Sequence, residues 1–173
     1  PRKEAKETFA VAVKSGLKIK VVTGDYYKTA EKVMAYLGIN LKPDEILEGH
    51  QMDKMTDSEL DNIIEKILLF ARVTPQQKLR IVDILQKRGE VVAMTGDGVN
   101  DAPALKKSNI GIVMGDASEV AKETADIILL DSNFKTIIAA VETGRLVFEN
   151  IKKIIFFVLS ILSLKSCCFW EHW

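Results

Sequence analysis

Val91-Val92-Ala93-Met94-Thr95-Gly96-Asp97-Gly98-Val99-Asn100-Asp101-Ala102-Pro103-Ala104-Leu105 is the stretch on which the fold turns. Its opening apolar run, Val91 to Met94, has the length and β-branching of a buried strand in a parallel sheet, and it stops abruptly at Thr-Gly-Asp-Gly. The chemistry-bearing residues therefore lie at a strand's carboxyl end, where open α/β sheets bind their ligands. The two glycines let backbone approach a phosphate without a Cβ in the way. Asp97 and Asp101, with no His or Cys nearby, are hard oxygen ligands that suit Mg2+ better than zinc or copper. Asp101 also stands where it could cap the helix that Pro103 helps to start. An ordinary Asp-Gly turn explains Asp97 less well, because such a turn needs one glycine and this aspartate is flanked by two.

Upstream, Leu17 to Val22 leads into Thr23-Gly24-Asp25, a second strand ending in Thr-Gly-Asp. Alone, the tripeptide reads better as a plain strand-to-turn exit. Paired with the later copy, it predicts two strands delivering a hydroxyl, a glycine amide and a carboxylate to one edge of one sheet, as a phosphate cradle requires. Thr23 would donate to a phosphoryl oxygen. Between the two lies Leu68-Leu69-Phe70-Ala71-Arg72-Val73-Thr74-Pro75-Gln76-Gln77-Lys78. Phe70 to Val73 reads as a strand, Thr74 as a helix N-cap, Pro75 as the first helical turn, and Gln77 as the partner that closes a capping box. Lys78 then sits in the first turn, where a cation works against the helix dipole, so helix stability does not explain it. A solvated surface lysine is the bland reading. Its place at the same sheet edge as the Thr-Gly-Asp turns favours a role in neutralising a phosphoryl group.

Taken together, Thr23-Gly24-Asp25, Thr74 to Lys78 and Thr95 to Lys107 resemble the phosphorylation domain of P-type cation-transporting ATPases, within the haloacid dehalogenase superfamily. Gly111 to Gly115, Ala125 to Phe134 and Gly144 to Lys153 extend the likeness, the last two resembling the segment that leads into the fifth transmembrane helix of calcium, sodium/potassium and related pumps. Ser108-Asn109 departs modestly, standing where these pumps carry a small residue and an acid. The resemblance implies a parallel Rossmann-like α/β sheet with helices on both faces, Mg2+ as cofactor and ATP as substrate. By the same likeness Asp97 coordinates the metal, and Asn100 and Asp101 hold the phosphoryl group and the metal's surroundings. Thr23, Gly24 and Lys78 contact phosphoryl oxygens, and Asp25 lies near the nucleotide and the hinge. The family's nucleophile is an aspartate in Asp-Lys-Thr-Gly on the first strand, a motif these 173 residues do not contain.

The expected organisation is a phosphorylation domain over residues 1–133, lacking its first strand and the inserted nucleotide domain. A stalk helix with a transmembrane stub follows over 134–164, then an atypical tail over 165–173. Ile154 to Leu164 forms the apolar run of the stalk, and eleven residues of helix extend only about 16 Å against a hydrocarbon core of roughly 30 Å. Lys152 and Lys153 precede it as cytoplasmic flanking charges, and a buried core helix is the other reading of the run. Hydrophobic residues make up 47% of the chain, enough for one α/β domain with a real core. Charge is balanced, 24 basic against 24 acidic residues, so nothing marks a nucleic-acid surface. Cys167 and Cys168 are adjacent and give neither a disulfide framework nor metal-ligand spacing, although they could be acylated beside a membrane.

Two functions follow. In the first, the chain is part of a multi-pass membrane pump, with residues 1–150 on the cytosolic side. Its partners are then the nucleotide, actuator and transmembrane domains, and the N-terminus reads as cut. In the second it is a natural truncation, inactive without the nucleophile and acting only by binding. An independent phosphatase of the superfamily would need a nucleophilic aspartate too.

Overall fold

β3 (Leu69–Ala71), buried at every residue, is the centre of the larger core in a computed structural model that describes residues 3–131 and 133–170. Before it come α1 (Lys3–Lys14), β1 (Val21–Val22), α2 (Tyr27–Tyr36), a 3-10 turn (Pro43–Glu45), β2 (Ile46–Glu48), α3 (Gly49–Met52) and α4 (Asp57–Ile64). After it come α5 (Pro75–Lys87), β4 (Ala93–Gly96), a 3-10 turn (Val99–Asp101), α6 (Ala102–Lys107), β5 (Ile110–Met114), α7 (Glu119–Thr124), β6 (Ile127–Leu129) and α8 (Phe134–Trp170). This alternation is the α/β pattern expected from the sequence, and every strand pair is parallel.

Local chemistry sets the boundaries. Thr56 and Thr74 each accept a hydrogen bond from the backbone N–H three residues on, while the side-chain oxygens of Glu59 and Gln77 accept one from the cap's own N–H at 2.8 Å. Leu47, Met52, Leu60, Ile64, Ile81 and Ile84 then close around Phe70 of β3. Each fully buried large side chain there contributes about 1.5–3 kcal/mol. A smaller core joins Leu105, Val113, Ala117 and Ala121 under β5.

The polar stretch from Asn40 to Met55 gives few periodic cues, yet it holds β2, paired in parallel with β3. Three residues are too few to display a period.

Two expectations are corrected. The strands form not one sheet but two of three strands each, β1-β3-β2 and β4-β5-β6, with a Thr-Gly-Asp turn at an outer strand of each. β1 and β4 therefore pair on one side only among the described residues. The second correction follows from the first. The strand read as Val91 to Met94 runs over Ala93–Gly96 and is not buried: Val91 is 78% exposed, and Ala93 and Thr95 are also exposed. An outer strand lacks the neighbour that encloses an interior parallel strand, whatever its apolar sequence.

The chain divides into two compact units, Pro1–Phe134 and Lys135–Trp173. Along α8 the side chains of Leu146, Phe148, Ile154, Phe156 and Phe157 are exposed, and Lys152 lies 5.0 Å over the Phe148 ring. Among the described residues no helix is long and apolar enough to cross a membrane. Of the atypical tail, residues 165–170 continue α8 and 171–173 lie outside the described residues, as do the side chains of Cys167 and Cys168.

Candidate phosphoryl site

Thr23-Gly24-Asp25 leaves β1 alongside the exit of β3, and backbone hydrogen bonds fasten the two segments together. Thr23 N donates to Phe70 O (2.9 Å), Val73 N to Thr23 O (3.1 Å) and Arg72 N to Asp25 O (3.0 Å). The turn is tightened by Asp25 N donating to Thr23 Oγ1 at 3.1 Å. Arg72 holds a left-handed φ of 52° at this junction, and its guanidinium lies 4.6 Å over the Tyr26 ring.

Two residues past this junction, Thr74 caps α5, which carries Lys78 into its first turn, with Lys78 N donating to Thr74 O at 3.0 Å. The Lys78 ammonium reaches Asp101 Oδ1, and both side chains are only 12% exposed. This ion pair joins α5 to the turn after β4. Asp101 is the residue before α6, yet its side chain makes no capping hydrogen bond there, because the carboxylate is turned to Lys78. Gly96 makes the close approach possible. A Cβ at that position would lie 2.6 Å from Asp101 Cβ and 2.9 Å from its Oδ2, inside any tolerable contact.

Asp97 is exposed; its carbonyl accepts from Ser118 N at 3.0 Å, fixing the turn against the start of α7. Asn100 is exposed as well. Among the described residues no group of three or more His, Cys, Asp or Glu side chains is arranged as a metal cage. Mg2+ does not require one: beside phosphate it keeps several waters and takes one or two carboxylates. Asp97, an exposed hard-oxygen donor one residue past β4, fits that demand. The structure thus draws Lys78, Asp101 and Gly96 into direct contact and fastens Thr23 and Asp25 to the segment entering α5. Gln77 carries a feature no motif announces: beyond the capping box, its amide reaches into α3.

The fold is a parallel α/β arrangement with glycine-aspartate turns at strand carboxyl ends, the edge where such folds bind ligands, and a half-buried lysine–aspartate pair lies beside one of them. The haloacid dehalogenase-like hydrolase family matches residues 1–109, and the chain belongs to that family. It is 46% identical over 160 residues to calcium-transporting ATPase 1 of Lactococcus lactis, matching over 92% of this chain and 18% of that protein. It is 47% identical over 163 residues to the cation-transporting ATPase pma1 of Synechocystis, and 44% identical over 161 residues to the human calcium-transporting ATPase type 2C member 1. Each match takes in more than nine-tenths of this chain and 18% of the relative, so the chain spans under a fifth of their length. Among solved structures, the catalytic domain of the CPx-ATPase CopB-B superposes with a TM-score of 0.61 at 26% identity. That match covers 82% of this chain and 45% of the other.

Proposed function

We propose that this chain is the Mg2+- and phosphoryl-binding part of the phosphorylation domain of an ATP-driven cation pump, which turns over ATP through an aspartyl phosphate. The observation that carries the reading is the largely enclosed Lys78–Asp101 pair, each side chain 12% exposed, seated against Gly96 at the carboxyl end of β4. A half-buried ammonium held by one carboxylate at a strand end is pre-organised to meet the charge of a transferring phosphoryl group. Likeness to calcium- and cation-transporting ATPases supports the pump. The whole protein would then be multi-pass in a membrane, with residues 1–150 on the cytosolic side and the nucleotide, actuator and transmembrane domains as partners.

In this reading Thr23 Oγ1 and the Gly24 N–H donate to phosphoryl oxygens. Lys78 offsets their charge, and Asn100 adds a side-chain amide. Asp101 holds Lys78 in place before the phosphoryl group arrives. Asp25, joined to Arg72 at the mouth of the site, lies toward the nucleotide and hinge. Asp97 would hold Mg2+, which when bound would supply positive charge to offset that of the phosphoryl group. The nucleophilic aspartate comes from outside these 173 residues. β1 and β4 each leave one edge without a partner among the described residues, and both end in Thr-Gly-Asp. A parallel strand accepted by both edges would end between the two turns, where an Asp-Lys-Thr-Gly aspartate belongs. Residues 134–164 act as the stalk that passes closure of the site to the ion pathway.

The coding sequence upstream provides the test. An in-frame Asp-Lys-Thr-Gly several hundred residues before Pro1 is expected; an upstream reading frame without it would end the pump assignment.

A further inference from the structure

Gln77 does more than its capping box asks of it. The box needs only an oxygen at this position to accept from the cap's N–H: the boxes opened by Lys42 and Thr56 are closed by glutamates, Glu45 and Glu59, and the one opened by Glu48 by Gln51. Gln77 Oε1 does this for Thr74 N at 2.8 Å. Its Nε2 is spent elsewhere, donating to Gly49 O at 3.0 Å and to Asp53 Oδ1 at 2.6 Å. Gln77 is 6% exposed, and its bond to Gly49 O is buried, while those to Thr74 and to the exposed Asp53 are half-buried. A carboxylate here would satisfy the cap but would face a carbonyl and a second carboxylate, so the α3 contact explains why this residue is an amide.

The surroundings leave little slack. A Cβ on Gly49 would strike the Arg72 carbonyl and come within 2.6 Å of Gln77 Oε1. Nearly one turn further on, Arg80 donates to Met52 O (2.9 Å), Met55 O (2.6 Å) and Asp57 Oδ1 (2.7 Å). One side of the first turns of α5 is therefore bolted to α3 and the start of α4. Lys78 follows Gln77 directly, about 100° around the helix, and extends to Asp101.

We infer that Gln77 is a positioning residue: by anchoring the first turn of α5 to α3, it fixes where the Lys78 ammonium meets Asp101. The inference rests on the phosphoryl-site reading for its importance to the reaction, but the placement of Lys78 is measurable without that reaction. A carboxylate at position 77 drives the turn off α3 and loosens the ion pair.

Trace acetylation of the chain, read lysine by lysine by mass spectrometry, reports how tightly each amine is held. Gln77→Glu should raise the rate at Lys78 about tenfold, the scale of one released charge-assisted hydrogen bond. The rate at half-buried Lys20 should stay as it was. Asp53→Ala, which removes one acceptor of the Gln77 amide from outside α5, should give a smaller rise in the same direction and serves if the first variant does not fold. An unchanged rate at Lys78, or a rise at Lys78 and Lys20 together as in general loosening, would overturn the inference. Failure of the phosphoryl-site reading is read separately, from unimpaired phosphorylation of the complete protein carrying Lys78→Ala with Gln77 intact.

Discussion

Gly96→Ala is the smallest change that tests how the site is packed. The added methyl would sit 2.6 Å from Asp101 Cβ, 2.9 Å from Oδ2 and 3.0 Å from Cγ, and none of these belongs to the far end of a long flexible side chain. Asp101 is 9% exposed and tied to Lys78, so it has no free direction in which to withdraw. Overpacking of this kind costs about 1–3 kcal/mol. At this chain length each kcal/mol moves Tm by about 2–4 °C, so a fall of about 2–12 °C is expected in calorimetry. The double variant Gly96→Ala/Asp101→Gly removes all three struck atoms. In the Asp101→Gly background the alanine should therefore cost less than about 0.5 kcal/mol, a strongly non-additive pair. Gly96→Ala with an unchanged Tm, or a double variant destabilised by the sum of the singles, would refute the packing argument.

Two further predictions concern pH. Burial lowers the Lys20 ammonium from 10.5 to about 8, although it donates to the carbonyls of Ile64, Glu65 and Ile67 at the end of α4. Below about pH 8 both folded and unfolded chains carry this proton, and the folded state bears the desolvation cost. Between about pH 8 and 10.5 the unfolded chain binds more protons, so this group makes stability rise with pH. Urea midpoints across that interval should climb less in Lys20→Met than in the parent, and an equal climb would contradict the assignment. The hydrogen bond from Lys18, reinforced by its charge, holds the Glu65 carboxyl below its ordinary 4.5. That contribution is present above about pH 4.5 and is lost as pH falls through the depressed value. Lys18→Met should make the acid loss shallower, as should added salt because the pair is exposed; an unaltered acid limb would count against it.

Much of the site is legible in the sequence because its signals are local. Thr74, Pro75 and Gln77 announce a helix start within four residues, and the structure caps α5 as that pattern dictates. The parallel α/β class follows from alternating apolar runs and helix caps. β2 escapes because a strand of three residues carries no period. The exposure of Val91, Ala93 and Thr95 escapes for a different reason. Apolar, β-branched sequence records the surroundings a strand is suited to, and its neighbours here are missing on one side among the described residues. Asp101 was readable as helix cap or phosphoryl-site residue. The choice between them depends on Lys78, which lies 23 positions away and becomes a neighbour only through packing. The α3 anchor of Gln77 is equally non-local, with Gly49 28 positions upstream.

Transfer of phosphate from ATP to the complete protein tests the central claim most directly, measured as acid-stable label with Mg2+ present. The account predicts a phosphoenzyme in the parent and its loss in Asp97→Asn, which keeps the size of the side chain and removes the charge that would hold the metal. Undiminished label in Asp97→Asn, with folding intact, would contradict the role of this turn as the Mg2+ and phosphoryl site.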